Sequence, residues 1–163
     1  MKGESASQPL LTPIHQAMAD KSVLCWLATA DAAGQPNVSP KEVFAIADGE
    51  HVVVANIASP GTARNIRVNA RVCLSFVDVF VQKGHKVLGE AREVKPADAD
   101  FDRWVEPLRP MAGHRFPIHS VFVIRATAVE PIVAPSYRLY PSETTEASQV
   151  EAALRTYGVQ RTA

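Results

Sequence analysis

The chain has no surplus of charge: 17 basic side chains balance 17 acidic ones, and the sequence pI is about 7.0. Without a basic excess there is no global field to draw nucleic acid or an anionic lipid surface, so any anion site must be local. Cysteine is scarce. Cys25 and Cys73 each lie inside an apolar strand-like run, where a small buried thiol is ordinary core filling. Nowhere do eighteen apolar residues run together, and Met1 to Gln8 lack the apolar stretch of a secretory leader, so neither membrane spanning nor secretion is predicted. A reduced, cytoplasmic protein is the expectation. No Gly-x-Ser-x-Gly elbow, Gly-x-Gly-x-x-Gly turn or Walker loop occurs, which leaves serine hydrolase, Rossmann and P-loop chemistry without local support. The five histidines include His114 and His119 in one proline-containing loop, but no cysteine or third ligand accompanies them, and no metal site is expected.

What the chain does have is apolar content, 47% of 163 residues, enough for one domain with a substantial core. Thr12-Pro13 opens a short helix through Ala19, with proline at its first position. Val23 to Thr29 reads as a strand, Asp31 to Gln35 as a hairpin-like turn, Asn37 to Ala47 as a second strand, and His51 to Ala55 as a third. Such short connections force antiparallel neighbours. A helix over Thr62 to Asn69, strands over Arg71 to Asp78 and His85 to Lys95, a helical segment from Pro96 to Leu108 and a last core strand over Ser120 to Val129 follow. About six antiparallel strands with few helices predict a mainly β fold, a small closed barrel with flanking helices. Beyond Pro131 an irregular segment leads to a stripe of Val150, Leu154 and Tyr157 ended by Gly158, a helix that packs on its own barrel or on a partner subunit. The division predicted is a flexible start over residues 1–10, a barrel domain over 11–131 and a C-terminal extension over 132–163.

Three polar segments carry candidate chemistry. Ala55 to Asn65 runs from a buried strand into a helix start, whose free amide donors sit at the positive end of the dipole. An anion is favoured there before Ser59, Thr62, Arg64 and Asn65 add their own donors. The plainer alternative is a helix cap with Thr62 as N-cap. In Asn37-Val38-Ser39-Pro40-Lys41 the period of two puts Ser39 and Lys41 on one strand face, where they reach one ligand together or form an exposed strand end. Lys83-Gly84 offers close backbone approach and a positive charge, or an ordinary turn. Phe101 and Trp104 fit the core stripe of their helix, while Arg103, Arg109 and Arg115 line either a substrate mouth or a solvated rim.

The succession Trp26-Leu27-Ala28-Thr29, Gly34 to Lys41, Ala55-Asn56, Ser59 to Ile66, Asn69 to Val72, Gln82-Lys83-Gly84 and Gly89-Glu90-Ala91 resembles the pyridoxamine 5′-phosphate oxidase-like, FMN-binding split-barrel family over roughly residues 11 to 130. The resemblance implies a homodimeric six-stranded split barrel with FMN at the subunit interface. It places Ser39 and Lys41 at the ribityl phosphate or flavin and Asn56 at the flavin edge. Thr62, Arg64 and Asn65, with Ser59 in the same turn, fall at the phosphate, and Lys83 and Gly84 at the isoalloxazine ring. The Ser-Arg-Lys phosphate motif of the vitamin B6 oxidases is replaced by Ser59-Pro60-Gly61-Thr62-Ala63-Arg64, and their substrate-holding C-terminal strands by the Val150–Tyr157 helix. The resemblance therefore lies with the broader flavin-nucleotide-binding members. It implies an FMN-dependent oxidoreductase acting on a small organic substrate, for which the flavin supplies the hydride or electron transfer and no catalytic side chain is required. A non-catalytic flavin carrier or sensor, and a haem- or deazaflavin-binding relative, are the alternatives.

Overall fold

A computed structural model describes residues 8–161; of the flexible start expected over 1–10, residues 1–7 lie outside the described residues. Helix α1 (Pro13–Lys21) begins, as proline at the first helical position predicts, directly after Thr12. Strands β1 (Cys25–Ala30), β2 (Pro36–Lys41), β3 (Phe44–Ile46) and β4 (His51–Asn56) precede helix α2 (Pro60–Val68). Strands β5 (Arg71–Asp78) and β6 (Lys83–Val94) follow, then α3 (Phe101–Val105), a 3-10 turn (Glu106–Leu108) and α4 (Arg109–Ala112). Strand β7 (Ser120–Val133), α5 (Ser136–Leu139) and α6 (Glu146–Tyr157) complete the chain.

Seven antiparallel strands form one sheet in the order β2-β1-β5-β6-β7-β4-β3, one more than the six expected. The extra strand comes from the stretch Asn37–Ala47. Its first part, β2, pairs with β1, and its second part, β3, pairs with β4, at the opposite edge of the sheet. Only Glu42 and Val43 connect them. Two edges joined by two residues lie within a few residue lengths of each other, so the sheet must curl until its edges meet. The result is a barrel that is split between β2 and β3. Pro36 and Pro40 fall on the edge strand β2, where a missing N–H costs no ladder bond.

Both faces of the β4–β7 pair are buried, which explains the unbroken apolar runs of these strands. Val52, Val54, Phe122 and Ile124 point into the barrel, against Leu27, Leu74, Phe76 and Val87. Ala63 and Ile66 of α2 and Ala19 of α1 join the same core. Val53, Ala55, Val121 and Val123 point outward and are covered by Trp104, Val105, Leu108 and Ala112 of the α3–α4 segment. Cys25 is buried, whereas Cys73 is half-buried on the outer face of β5 rather than fully in the core.

Candidate functional site

The inward positions of β1 and β2 place Leu27 opposite Ser39 and Cys25 opposite Lys41, so the period of two turns both polar side chains to the face on which α2 lies. Helix α2 starts two residues earlier than expected. Ser59 is its N-cap position, and Pro60 occupies the first turn. Thr62 is therefore a buried residue of the first turn rather than the cap, and its hydroxyl meets Ser39 Oγ at 3.1 Å.

Lys41 lies at the centre, only 6% exposed. Its Nζ donates to Ser39 Oγ at 2.8 Å and to Ser59 Oγ at 2.6 Å. Burial holds its ammonium below the usual lysine range. Among the described residues no carboxylate pairs with it. An ammonium has three donors and no acceptor, so one Lys41 hydrogen is left over after the two serines. Ser59 accepts from Lys41 and retains its own hydrogen, and the Ser39–Thr62 pair retains one of its two, whichever of them donates to the other. The cluster thus presents donor hydrogens and a buried positive charge with no acceptor supplied by the described residues. A desolvated cation without a counter-ion is costly, and an anionic group offsets that cost.

A second hydrogen-bonded chain fixes the turn from the other side. Ser59 N donates to Asn56 Oδ1 at 3.2 Å, Asn56 Nδ2 to Ser120 Oγ at 2.8 Å, and Ser120 Oγ to Glu93 Oε1 at 2.8 Å. Glu93 also takes Arg67 Nε at 2.8 Å. Burial would raise the Glu93 carboxyl, but the bonds from Ser120 and Arg67, with the Arg67 charge, outweigh it and hold the group below the usual carboxylate range. One turn along α2, Asn65 Nδ2 donates to Thr29 Oγ1 at 3.0 Å.

The structure thus brings Ser39, Lys41, Ser59 and Thr62 together and ties Asn56 to them through the Ser59 amide. Asn65 shares their side of α2. Arg64 does not: it is exposed and lines a neighbouring cavity of about 370 Å3 with Arg67 and His119, across the Ile57–Ser59 segment. Lys83 and Gly84 lie at the opposite end of β6 from Glu93. There Lys83 Nζ pairs with Glu146 Oε1 at 2.8 Å and sits 4.4 Å from the Tyr137 ring centroid. The Glu146 hydrogen bond and charge hold it above the usual lysine range. Gly84 faces β5 so closely that a Cβ would overlap the Phe76 carbonyl oxygen. Thr29, which also accepts from Asn37 Nδ2 at 3.4 Å, and Ser120 and Glu93 adjoin the candidate site without having been assigned a role from the sequence. Thr29 and Asn37 share the inward alternation of Leu27 and Ser39 and were findable from it, whereas no local signal marks Ser120 or Glu93.

Lys41 and Ser59 line a cavity of about 280 Å3, with Pro40, Val43, Ala55 and Phe116 among its apolar walls and the exposed Glu42 as its one acidic lining residue. A site of this kind takes an anionic head with an apolar body.

The profile of the pyridoxamine 5′-phosphate oxidase family matches residues 11–132. No curated protein matches the chain. Among solved structures, HupZ from Group A Streptococcus is 22% identical with a TM-score of 0.65, over 76% of this chain and 94% of that one. An FMN-binding protein from Syntrophomonas wolfei subsp. wolfei is 16% identical with a TM-score of 0.61, over 72% and 82% of the two chains. HutZ, the heme storage protein from Vibrio cholerae, is 20% identical with a TM-score of 0.60, over 76% and 94%. At these identities the likeness is one of fold.

Proposed function

The chain belongs to the pyridoxamine 5′-phosphate oxidase family, and from that premise we propose that it binds FMN with the phosphate in the Lys41 cradle and works as a flavin-dependent oxidoreductase on a small organic substrate. The observation that carries this reading is the cluster of Lys41 with the Ser39, Ser59 and Thr62 hydroxyls, a buried cation with spare donor hydrogens and no carboxylate partner among the described residues. A phosphate dianion supplies the missing charge and accepts the spare hydrogens. Arg64, on the exposed side of α2, extends the positive field from the neighbouring cavity, and Asn56 and Asn65 hold the turn to the sheet. When bound, the flavin supplies hydride or electron transfer at its ring; the chain's own groups bind, orient and exclude water.

Lys83 and Gly84 enter the reading through a second copy, since in its own chain Lys83 is engaged by Glu146 and Tyr137 and β1 and β5 stand between β6 and the strand that carries Lys41. Two copies associate through the outer face of β1 and β2, and the partner subunit brings its β6 start to the ring. The vitamin B6 reaction is not part of the proposal, because Ser59-Pro60-Gly61-Thr62 replaces the Ser-Arg-Lys motif.

The visible spectrum of the purified protein tests the cofactor, followed by reconstitution of any cofactor-free fraction with FMN and by NADH or NADPH addition without oxygen. Flavin bands that bleach with a nicotinamide donor are expected. A protein that neither carries flavin nor binds FMN at micromolar concentration defeats the reading. Haem or deazaflavin bands redirect it to the alternatives, and flavin bands that no donor bleaches favour a carrier.

A further inference from the structure

A larger cleft, about 570 Å3, opens beside the Lys41 cavity. It lies between the α3–α4 segment and the chain from Gly113 to Ile118. Its apolar floor is made by Val105 and Ala112, which are buried, and by Phe101 and Ile118, which are half-buried against the same core. Its polar side chains are the Arg109 guanidinium and the His114 imidazole, and none of the lining residues is acidic. Phe116 lines this cleft and also the Lys41 cavity, so a single aromatic side chain stands between the two.

The Arg109 guanidinium is anchored without being used up. One Nη donates to Asp102 Oδ1 at 2.7 Å, and a guanidinium has five donors in a planar fork suited to a carboxylate. The volume falls within the range of small-molecule pockets, and an apolar floor beside a guanidinium, ion-paired with the solvent-exposed Asp102 but with donors to spare, suits an amphipathic anion. We infer that this cleft is the substrate pocket and that its ligand is a small aromatic carboxylate. The ring lies on Phe101, Val105 and Ile118, the carboxylate on Arg109, and Phe116 forms the wall toward the Lys41 cavity. Substrate status rests on the flavin reading above; binding in the cleft does not.

Calorimetric titration of the full-length protein with 2-naphthoate and with 2-naphthamide, which has the same rings and no charge, tests it. Naphthoate is expected to bind at least tenfold more tightly than naphthamide. Arg109→Gln is expected to erase that preference, Arg109→Lys to retain part of it, and Ile118→Trp, which fills the cleft, to abolish binding of both. Equal affinities in the wild type, or a preference that survives Arg109→Gln, overturn the inference. FMN titration of the same samples, read by quenching of flavin fluorescence, separates the two proposals. Protein that binds FMN but not naphthoate loses the cleft and keeps the flavin site, and protein that binds naphthoate through Arg109 but not FMN does the reverse.

Discussion

At the scale of single residues the site is a matter of charge bookkeeping around Lys41. Its ammonium is buried between Ser39 and Ser59 without a carboxylate among the described residues, and in the proposed function the FMN phosphate supplies the counter-charge. Lys41→Met is expected to weaken FMN by on the order of 2 kcal/mol, roughly 30-fold, the scale of a charge-assisted hydrogen bond. Riboflavin, which lacks the phosphate, is expected to lose little. Arg64→Ala is expected to show the same selectivity with a smaller loss, because its guanidinium is exposed and screened. Equal losses for FMN and riboflavin in either variant, measured by flavin fluorescence titration, remove that residue from the phosphate site. Ser39 and Lys41 were legible because strand alternation is a local rule, and Ser59 because a helix start is. Ser120 and Glu93 were not legible. They reach Asn56 only through the β4–β7 and β6–β7 pairings, contacts between residues distant in sequence, and a glutamate in a strand announces no partner. The lowered Glu93 carboxyl gives its stabilisation above its ordinary value and loses it as pH falls.

At the scale of elements, the sequence showed where strands and helices begin better than where they change partner. The stretch Asn37–Ala47 reads as one strand because its composition stays strand-like. The switch at Glu42–Val43 is set by the curl of the whole sheet, which no local pattern reports. The helix expected over Pro96–Leu108 instead begins at Phe101 and breaks into three short pieces. Pro107 and Pro110 each sit in the first turn of a new piece, where proline is tolerated. Strand β7 continues through Pro131 because β4 no longer flanks it there, so the missing N–H interrupts no second ladder. Helix α1 carries a testable pH dependence. His15 Nδ1 accepts from Thr12 N at 2.9 Å, and its ring lies edge-on to His85 at 4.4 Å, whose buried Nδ1 has no partner among the described residues. Burial holds His15 below its ordinary 6.5, and burial with the neighbouring His15 does the same for His85. The unfolded chain therefore binds protons first: stabilisation is full above pH 6.5 and is lost as pH falls through that value. The melting temperature should drop between pH 7.5 and 5.5, and the slope should flatten in His85→Phe; an unchanged slope assigns the pH dependence to other groups. Gly84→Ala tests the β5–β6 register. Its Cβ meets the Phe76 carbonyl and Val77 Cα, backbone that cannot swing aside. A loss of about 3 kcal/mol is expected in denaturant titration, and a neutral result shows that the strands part there at no cost.

At the scale of the whole molecule, the barrel is dressed unevenly. The α3–α4 segment covers the outer face of β4 and β7, but the outer positions of β1 and β2 are bare. These are Trp26, Ala28 and Ala30 opposite Pro40, Val38 and Pro36, an unbroken apolar set in which Trp26 is 46% and Val38 59% exposed. A contiguous apolar face of this kind marks an interaction surface. A second copy of the chain suits it for a reason that belongs to the site. Lys83 and Gly84, which family resemblance places at the flavin ring, start β6, three strands across the sheet from Lys41, and Lys83 is engaged by Glu146 and Tyr137 of its own chain. In the proposed assembly a second molecule brings its own pair to the ring. Sequence alone left open where the C-terminal helix packs. Here α6 reaches its own β5–β6 hairpin, where Tyr157 meets Phe80 with ring centroids 6.0 Å apart and Tyr137 Oη donates to the Val81 carbonyl at 2.9 Å. The α6 helix thus leaves the β1–β2 face bare, and the proposed assembly puts the second copy there. Val38→Arg puts a charge in the middle of that face without touching the inward residues. Sedimentation equilibrium should show two copies for the wild type and one for the variant, and FMN affinity should fall at least tenfold although Lys41, Ser39 and Ser59 are intact. A monomeric wild type refutes the assembly. A monomeric variant that keeps full FMN affinity shows instead that one chain's cradle suffices and that Lys83 and Gly84 serve only their own hairpin.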